Sequence, residues 1–100
     1  MTKTELYNRF KQEYFQLDIE VAEARIFALQ SDYVDGFNEW TETAKRKDNE
    51  AQGVFNAMIN ILPNWTNYEV SADTYDLLDK VIEKKQELEQ LEKLQEKEVA

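Results

Sequence analysis

The apolar residues of this chain recur at helical spacing in three long segments. In the middle segment, residues 37–62, apolar side chains lie three or four positions apart, or sums of those, which places them along one side of a helix. These positions are Phe37, Trp40, Ala44, Ala51, Val54, Phe55, Met58 and Leu62. The flanking segments repeat the pattern at similar length. We therefore predict an all-α antiparallel three-helix bundle with helices at about 3–30, 34–62 and 72–97, in which two outer helices pack against the middle one.

The first predicted helix begins at a capping box. Thr2 is followed three positions later by Glu5, a spacing at which the two side chains accept hydrogen bonds from free amides at a helix start. An apolar stripe then continues to about residue 30, with a shorter apolar row beside it. The stripe consists of Leu6, Phe10, Tyr14, Leu17, Val21, Ala24 and Ala28, and the second row of Ile19, Ile26 and Phe27.

A turn is predicted after the first helix. Ser31, Asp32, Asp35 and Gly36 lie close together in the sequence. Serine and aspartate are common helix caps, and glycine tolerates positive φ angles. The chain is therefore expected to reverse direction here.

The sequence permits two arrangements of the middle segment. The bases at 45–47 suit the C-terminus of a helix, and Asp48 and Asn49 suit the next N-cap, which favours a break near 47–49. The apolar phase continues across this junction, however, and we favour one continuous helix. Gly53 lies inside it, where glycine costs about 1 kcal/mol relative to alanine. We expect a neighbouring element to pack closely against Gly53.

The connection after the second helix contains two aromatic residues. Pro63 ends the helix because it lacks a backbone N–H. Trp65 and Tyr68 follow in a segment without helical periodicity. We expect both rings to cover the end of the bundle as a lid, since this removes a large apolar area from water. The alternative is that they anchor a binding partner.

The third helix is predicted to begin at Ser71 or Asp73. From residue 83 onward the sequence is composed almost entirely of Glu, Lys, Gln and Leu. We assign residues 1–100 to a single helical domain, with 84–100 as a candidate protruding, charged helix end. The expected inward face of the helix consists of Leu77, Leu78, Val81, Ile82, Leu88 and Leu91.

The chain contains no histidine and no cysteine. This removes the commonest general base, the thiolate nucleophiles and most transition-metal ligand sets. No glycine-rich phosphate loop or calcium-binding loop is present in the sequence. We therefore expect no enzymatic activity, no metal and no cofactor. No apolar run approaches the about 20 residues that span a bilayer, and we expect a cytoplasmic protein, in the host cytoplasm if the chain is encoded by a phage.

The formal net charge of −9 favours a partner protein with a basic surface. It argues against direct binding to nucleic acid or to an anionic membrane, which both require surplus Lys and Arg. Acidic residues recur at helical spacing in one row of the middle segment and in a second row of the third. The candidate partner-binding residues are Asp32, Asp35, Glu39 and Glu42 in the first row, Asp76, Asp79 and Glu83 in the second, and the aromatic residues Trp65 and Tyr68.

Three functional hypotheses follow from these patterns. In the first, the chain is a small acidic, non-catalytic helical protein that binds a basic partner protein and inhibits or modulates it. In the second, the acidic rows mimic a nucleic-acid backbone, as in an inhibitor from a phage or mobile element that blocks a nuclease or another nucleic-acid-binding enzyme. In the third, the bundle is a self-associating structural or assembly protein that forms a homo-oligomer.

Overall fold

The structure is a computed structural model that describes residues 1–99, and residues 97–99 by their backbone alone. The described residues form three α-helices, α1 (Lys3–Gln30), α2 (Val34–Ile61) and α3 (Ala72–Val99), and a 3₁₀ turn at Trp65–Asn67. The body measures 50 × 22 × 19 Å. The predicted all-α three-helix bundle is confirmed, and each helix boundary lies within one or two residues of the predicted position.

The central helix of the bundle is α1. It packs against both α2 and α3, whereas α2 and α3 have almost no contact with each other within the described residues. The prediction that the middle segment is the central helix is therefore wrong. α2 runs antiparallel to α1, and α3 runs parallel to α1, since Gln12 contacts Thr74 near one end and Leu29 contacts Gln95 near the other.

The apolar pattern of α1 explains its central position. On one side Ala24 clusters with Ala44 of α2. On another side Ile19 and Ile26 are buried, and they share the helical phase of Asn8, whose side chain contacts α3. A helix with two apolar sides needs two neighbours to cover them. α2 has one narrow buried row, formed by Ala44, Ala51 and Met58.

A buried polar network joins α3 to α1. Asn8 is 7% exposed and Thr74 is 0% exposed. Thr74 Oγ1 donates a hydrogen bond to Asn8 Oδ1 at 2.9 Å and accepts one from Gln12 Nε2 at 3.1 Å. Asn8 Oδ1 also accepts the Ser71 backbone N–H at 2.8 Å, and Asn8 Nδ2 donates to the Glu69 carbonyl at 2.9 Å. Satisfied networks of this kind fix the register of the elements that they join.

The helix starts follow the predicted caps in part. Thr2 Oγ1 accepts the Glu5 backbone N–H at 3.1 Å, as predicted, but the Glu5 carboxylate accepts the Thr2 hydroxyl and not a backbone amide. Of the two predicted starts of α3, Ser71 is the cap, because its Oγ accepts the Thr74 N–H at 3.3 Å.

The turn between α1 and α2 lies at residues 31–33, and Gly36 lies inside α2. Gly36 has no positive φ, so the expectation that it supplies the turn conformation is wrong. The glycine instead makes room for Ser31, because a Cβ at position 36 would overlap Ser31 Oγ.

The connection between α2 and α3 closes one end of the bundle. Asn64 follows Pro63 in a left-handed conformation, φ 65°, which asparagine tolerates better than most residues. Trp65 and Tyr68 pack, partly buried, against the core cluster of Tyr7, Met58 and Leu62. The predicted lid is confirmed.

Two further predictions for the helices are resolved. α2 is continuous, which confirms the favoured arrangement and excludes the break near 47–49. In α3 Val81 and Leu88 are buried, but Ile82 is 46% exposed, so its assignment to the inward face is wrong. α3 lies against α1 as far as Gln95, whose Nε2 donates to the Leu29 carbonyl at 2.9 Å. The rest of the candidate protruding end, the side chains of residues 97–100, lies outside the described part of the chain.

Candidate functional site

The acidic row predicted in the middle segment lies along α2 and the turn before it. Asp32, Asp35, Glu39 and Glu42 are all exposed, and helical phase places the three helical carboxylates opposite the buried row of α2. None of the four lies within ion-pair distance of a base in the described residues. The row therefore presents net negative charge to solvent, although Arg46 lines the same shallow cavity as Glu39 and Glu42.

The second acidic row lies on a different part of the molecule. Asp76, Asp79 and Glu83 are exposed on the N-terminal half of α3. Thr74 contacts Gln12 and Lys85 pairs with Asp18, which places this row level with the first half of α1. The contact of Trp40 with Phe27 places the α2 row level with the end of α1. At 1.5 Å per residue, the centres of the two rows are about 20 Å apart along the bundle. The two rows do not form one continuous acidic surface.

Trp65 and Tyr68, the predicted aromatic candidates, contact the fold itself. The Trp65 ring packs on Phe55 with 5.6 Å between centroids, and the Tyr68 ring stacks on Tyr7 at 5.6 Å. Lys11 Nζ lies 5.0 Å from the centre of the Trp65 ring, within cation–π range. A partner has access only to the remaining exposed parts of these two rings.

A second aromatic pair is more accessible and was not predicted as a site. The rings of Phe27 and Trp40 lie 4.8 Å apart between centroids, and the residues are 43% and 39% exposed. Both were assigned to the apolar faces of their helices. They stay exposed because, among the described residues, no further helix covers this side of the α1–α2 pair. The contact joins the two helices near their connection, and exposed aromatic rings are also typical of protein interfaces.

A groove of about 630 Å³ runs between α1 and α2. Gly53 lies in its wall, and a Cβ built there meets nothing within 4 Å. The expected close neighbour of Gly53 is therefore absent from the described residues, and that prediction is wrong. The floor of the groove is formed by Phe10, Leu17, Val54 and Ala57, and its acidic rim by Glu13, Glu20 and Glu50.

The groove and the exposed aromatic pair share one side of the α1–α2 layer. Between them, Lys47 of α2 forms an ion pair with Glu20 of α1 at 3.6 Å. Glu20 and Phe27 occupy the same phase of α1, and Lys47 and Trp40 the same phase of α2. This side of the molecule combines apolar, aromatic and acidic groups in one continuous surface.

A smaller cavity of about 300 Å³ lies where α3 approaches the other two helices. Residues of all three helices line it, and α2 and α3 have almost no direct contact with each other in the described part of the chain. Arg25, Lys45 and Glu92 surround it with mixed charge. Its apolar lining is formed by Ala28, Leu29, Phe37, Ala44 and Leu88.

The titratable groups with shifted pKa values belong to the packed aromatic region. Burial raises the pKa of Tyr7, and the neighbouring Tyr75 raises it further. Burial also raises the pKa of Tyr14, with smaller contributions from Asp18 and Asp48. Burial lowers the pKa of Lys11. Among the described residues, no group of three or more Asp or Glu side chains is placed to hold a metal ion.

Comparisons of this chain with protein-family models, with curated proteins and with solved structures give no match. Within the described residues, no helix has the length and apolar character needed to cross a membrane.

Proposed function

We propose that this chain is a non-catalytic binding module that docks onto the basic surface of a partner protein and inhibits or modulates it. The observation that carries the proposal is the combination of an exposed, unpaired acidic row with a half-exposed tryptophan. Asp35, Glu39 and Glu42 have no ion-pair partner among the described residues, and Trp40 borders this row about 100° further around α2. The Trp40 ring lies on the side of α2 that meets Phe27 of α1. Charge steers the encounter with a basic partner, and tryptophan is among the residues that contribute most to binding energy.

The acidic row is available for binding because the fold does not use it. Its carboxylates lie opposite the buried row of α2 and form no ion pair in the described part of the chain. Neutralising them therefore removes negative potential without removing a packing contact. The row sits on a long helix, which holds the charges at fixed spacing and limits the loss of backbone freedom on binding.

The test of the acidic row uses affinity capture from the native host. The bait variant Asp35→Asn/Glu39→Gln/Glu42→Gln is compared with the wild-type chain and with Asp76→Asn/Asp79→Asn/Glu83→Gln. Both variants change the charge by the same amount on exposed helix positions.

We expect the wild-type chain and the α3 variant to retain the partner, and the α2 variant to lose about tenfold or more of its affinity. Added salt should weaken the wild-type complex. Equal capture by all three baits would contradict the proposal.

A second comparison tests the aromatic part of the surface. Trp40→Ala is compared with Tyr75→Ala, because Tyr75 is a 54% exposed aromatic residue on α3, away from the acidic row of α2. Removal of a central aromatic anchor costs about 2 kcal/mol or more of binding energy, or roughly thirtyfold in affinity. We expect this loss for Trp40→Ala and none for Tyr75→Ala. Similar losses in both variants would mean that Trp40 has no specific role.

The other two hypotheses stay predictions with their own measurements. A nucleic-acid mimic competes with DNA for its target enzyme, and the α2 charge variant should lose that competition. A self-associating protein has a light-scattering mass well above 11.9 kDa at micromolar concentration. We propose the cytoplasm as the compartment of the interaction, in keeping with the lack of cysteine.

A further inference from the structure

We propose that the groove between α1 and α2 binds a basic amphipathic helix of a partner protein. The apolar side of that helix would lie on Phe10, Leu17, Val54 and Ala57, and its Lys or Arg side chains would reach the acidic rim. This surface lies apart from the acidic row of α2, and the inference goes beyond the proposed function.

The charge of the rim determines what kind of helix fits. Glu13 and Glu50 are exposed and have no ion-pair partner among the described residues. Glu20 forms an ion pair with Lys47 at 3.6 Å. An acidic or neutral helix would leave these carboxylates without compensation at an interface. A second copy of the chain is disfavoured for the same reason, because each copy has a net charge of −9.

Gly53 supports close approach by a helix from outside the chain. Glycine in a helix interior is unfavourable by about 1 kcal/mol relative to alanine, so a structural reason is expected. Nothing in the described chain approaches its missing Cβ within 4 Å. Without a side chain at position 53, the backbone of a bound helix can approach α2 closely, as small residues allow at helix–helix contacts.

The dimensions of the groove match a helical ligand. From Phe10 to Glu20 the groove follows α1 for about 15 Å, or nearly three helical turns. A helix lying between two antiparallel helices buries residues at i, i+3, i+4 and i+7 on its apolar side. It would cover the side of the α1–α2 layer that α3 leaves open, and it would complete a four-helix arrangement.

The experiment uses a fluorescein-labelled helical peptide with Leu at i, i+3, i+4 and i+7 and Lys at its flanking positions. The control peptide has Gln in place of Leu and the same charge. We expect the Leu peptide to bind the wild-type chain about tenfold or more tightly than the control peptide in fluorescence anisotropy. Amide NMR shifts should concentrate on the groove residues. Equal binding of the two peptides, or shifts centred elsewhere, would overturn the proposal.

Variants of the chain make the assignment specific. Gly53→Trp fills the groove and should weaken binding of the Leu peptide by about tenfold or more. Glu13→Lys/Glu50→Lys should weaken binding of the Leu peptide by reversing the charge of the rim, without filling the groove. If circular dichroism shows that Gly53→Trp is not folded, this second variant provides the test of the proposal. Asp76→Asn/Asp79→Asn, remote from the groove, should leave binding within about twofold. Unchanged binding in a folded groove variant would overturn the proposal.

The same variants separate this inference from the proposed function and from self-association. Gly53→Trp leaves the acidic row of α2 unchanged. If this variant no longer binds the Leu peptide but still captures the partner from the lysate, the groove proposal holds independently of the proposed function. A concentration-dependent dimer that Gly53→Trp abolishes would show that a second copy occupies the groove, and would overturn the proposal of a basic helix.

Discussion

The side chain of Asn8 in α1 accepts a hydrogen bond from the hydroxyl of Thr74 in α3, at 2.9 Å. Both residues are almost fully buried. Asn8 also bonds to the backbone of Glu69 and Ser71, immediately before α3 begins. Because α2 gives α3 almost no support in the described part of the chain, α3 is held by its contacts with α1. Besides this polar network and the apolar contacts, these include the Lys85–Asp18 ion pair and the hydrogen bond from Gln95 to the Leu29 carbonyl. A buried polar group of this kind fixes one register where apolar contacts alone permit several.

We expect Thr74→Val to lower the free energy of unfolding by about 1–3 kcal/mol. The substitution keeps the side-chain volume, but it removes the hydroxyl that donates to Asn8 Oδ1, which then keeps only the Ser71 N–H. It also removes the acceptor of the Gln12 Nε2 hydrogen bond. Chemical denaturation followed by circular dichroism measures the change. Thr41→Val is the matched control, because the Thr41 hydroxyl bonds the Phe37 carbonyl on the exposed surface, and its cost should stay below about 0.5 kcal/mol. Equal costs would mean that the network does not stabilise the fold.

The helices were predictable because local periodicity and caps determine them. Their arrangement needed information that one helical stripe does not contain. The second row of α1, with Ile19 and Ile26, was recognised in the sequence, and it is the signal that marks α1 as the helix with two neighbours. Asn8 has the same phase as those residues, so its burial was also open to prediction.

The exposed aromatic pair was not predictable from phase alone. Trp40 shares the apolar side of α2 with Ala44 and Ala51, and periodicity shows that these residues face the same way. It does not show where the covering helix ends or which side it leaves open. The groove beside Gly53 has the same origin, because an open glycine and a closely packed glycine look identical in the sequence.

We expect Gly53→Ala to raise the free energy of unfolding by about 0.5–1 kcal/mol. The added methyl group meets open space, and alanine reduces the conformational freedom of the unfolded chain. Gly36→Ala is the comparison. A Cβ at position 36 would overlap Ser31 Oγ, so this variant should gain less stability than Gly53→Ala or lose stability. Thermal unfolding of both variants checks this. A loss of stability in Gly53→Ala would show that the glycine has a structural role inside the chain.

The protein should lose stability as the pH rises above 10.0, the ordinary pKa of tyrosine. Burial raises the pKa of Tyr7 and Tyr14 in the folded state, so the unfolded chain releases these protons first. The contribution of each tyrosine is complete below its unfolded pKa and is lost as the pH rises through its folded pKa. Lys11, whose pKa burial lowers, acts in the opposite sense, since its contribution is lost as the pH falls through the lowered value.

Tyrosinate absorbance during an alkaline titration tests this pH dependence. Tyr7 and Tyr14 should ionise above the ordinary pKa of tyrosine in the folded protein, and Tyr14→Phe should remove one of these two late transitions. The same variant should show a shallower decline of unfolding free energy above pH 10.0 than the wild-type chain. An unchanged decline would assign the alkaline loss of stability to other groups.

The exposed acidic row should slightly destabilise the isolated protein. Glu39 lies four positions after Asp35 and three before Glu42, spacings at which like charges repel on a helix surface. We expect Glu39→Gln to raise the free energy of unfolding by about 0.2–0.5 kcal/mol at low ionic strength, and added salt to reduce the gain. Glu89→Gln is the matched control with the opposite sign, because Glu89 pairs with Lys93 at 3.2 Å and its neutralisation should lower stability. Chemical denaturation at two salt concentrations measures both. A gain in Glu39→Gln together with weaker partner capture would show that the row is kept for binding at the expense of stability, whereas a loss of stability would indicate that Glu39 supports the fold.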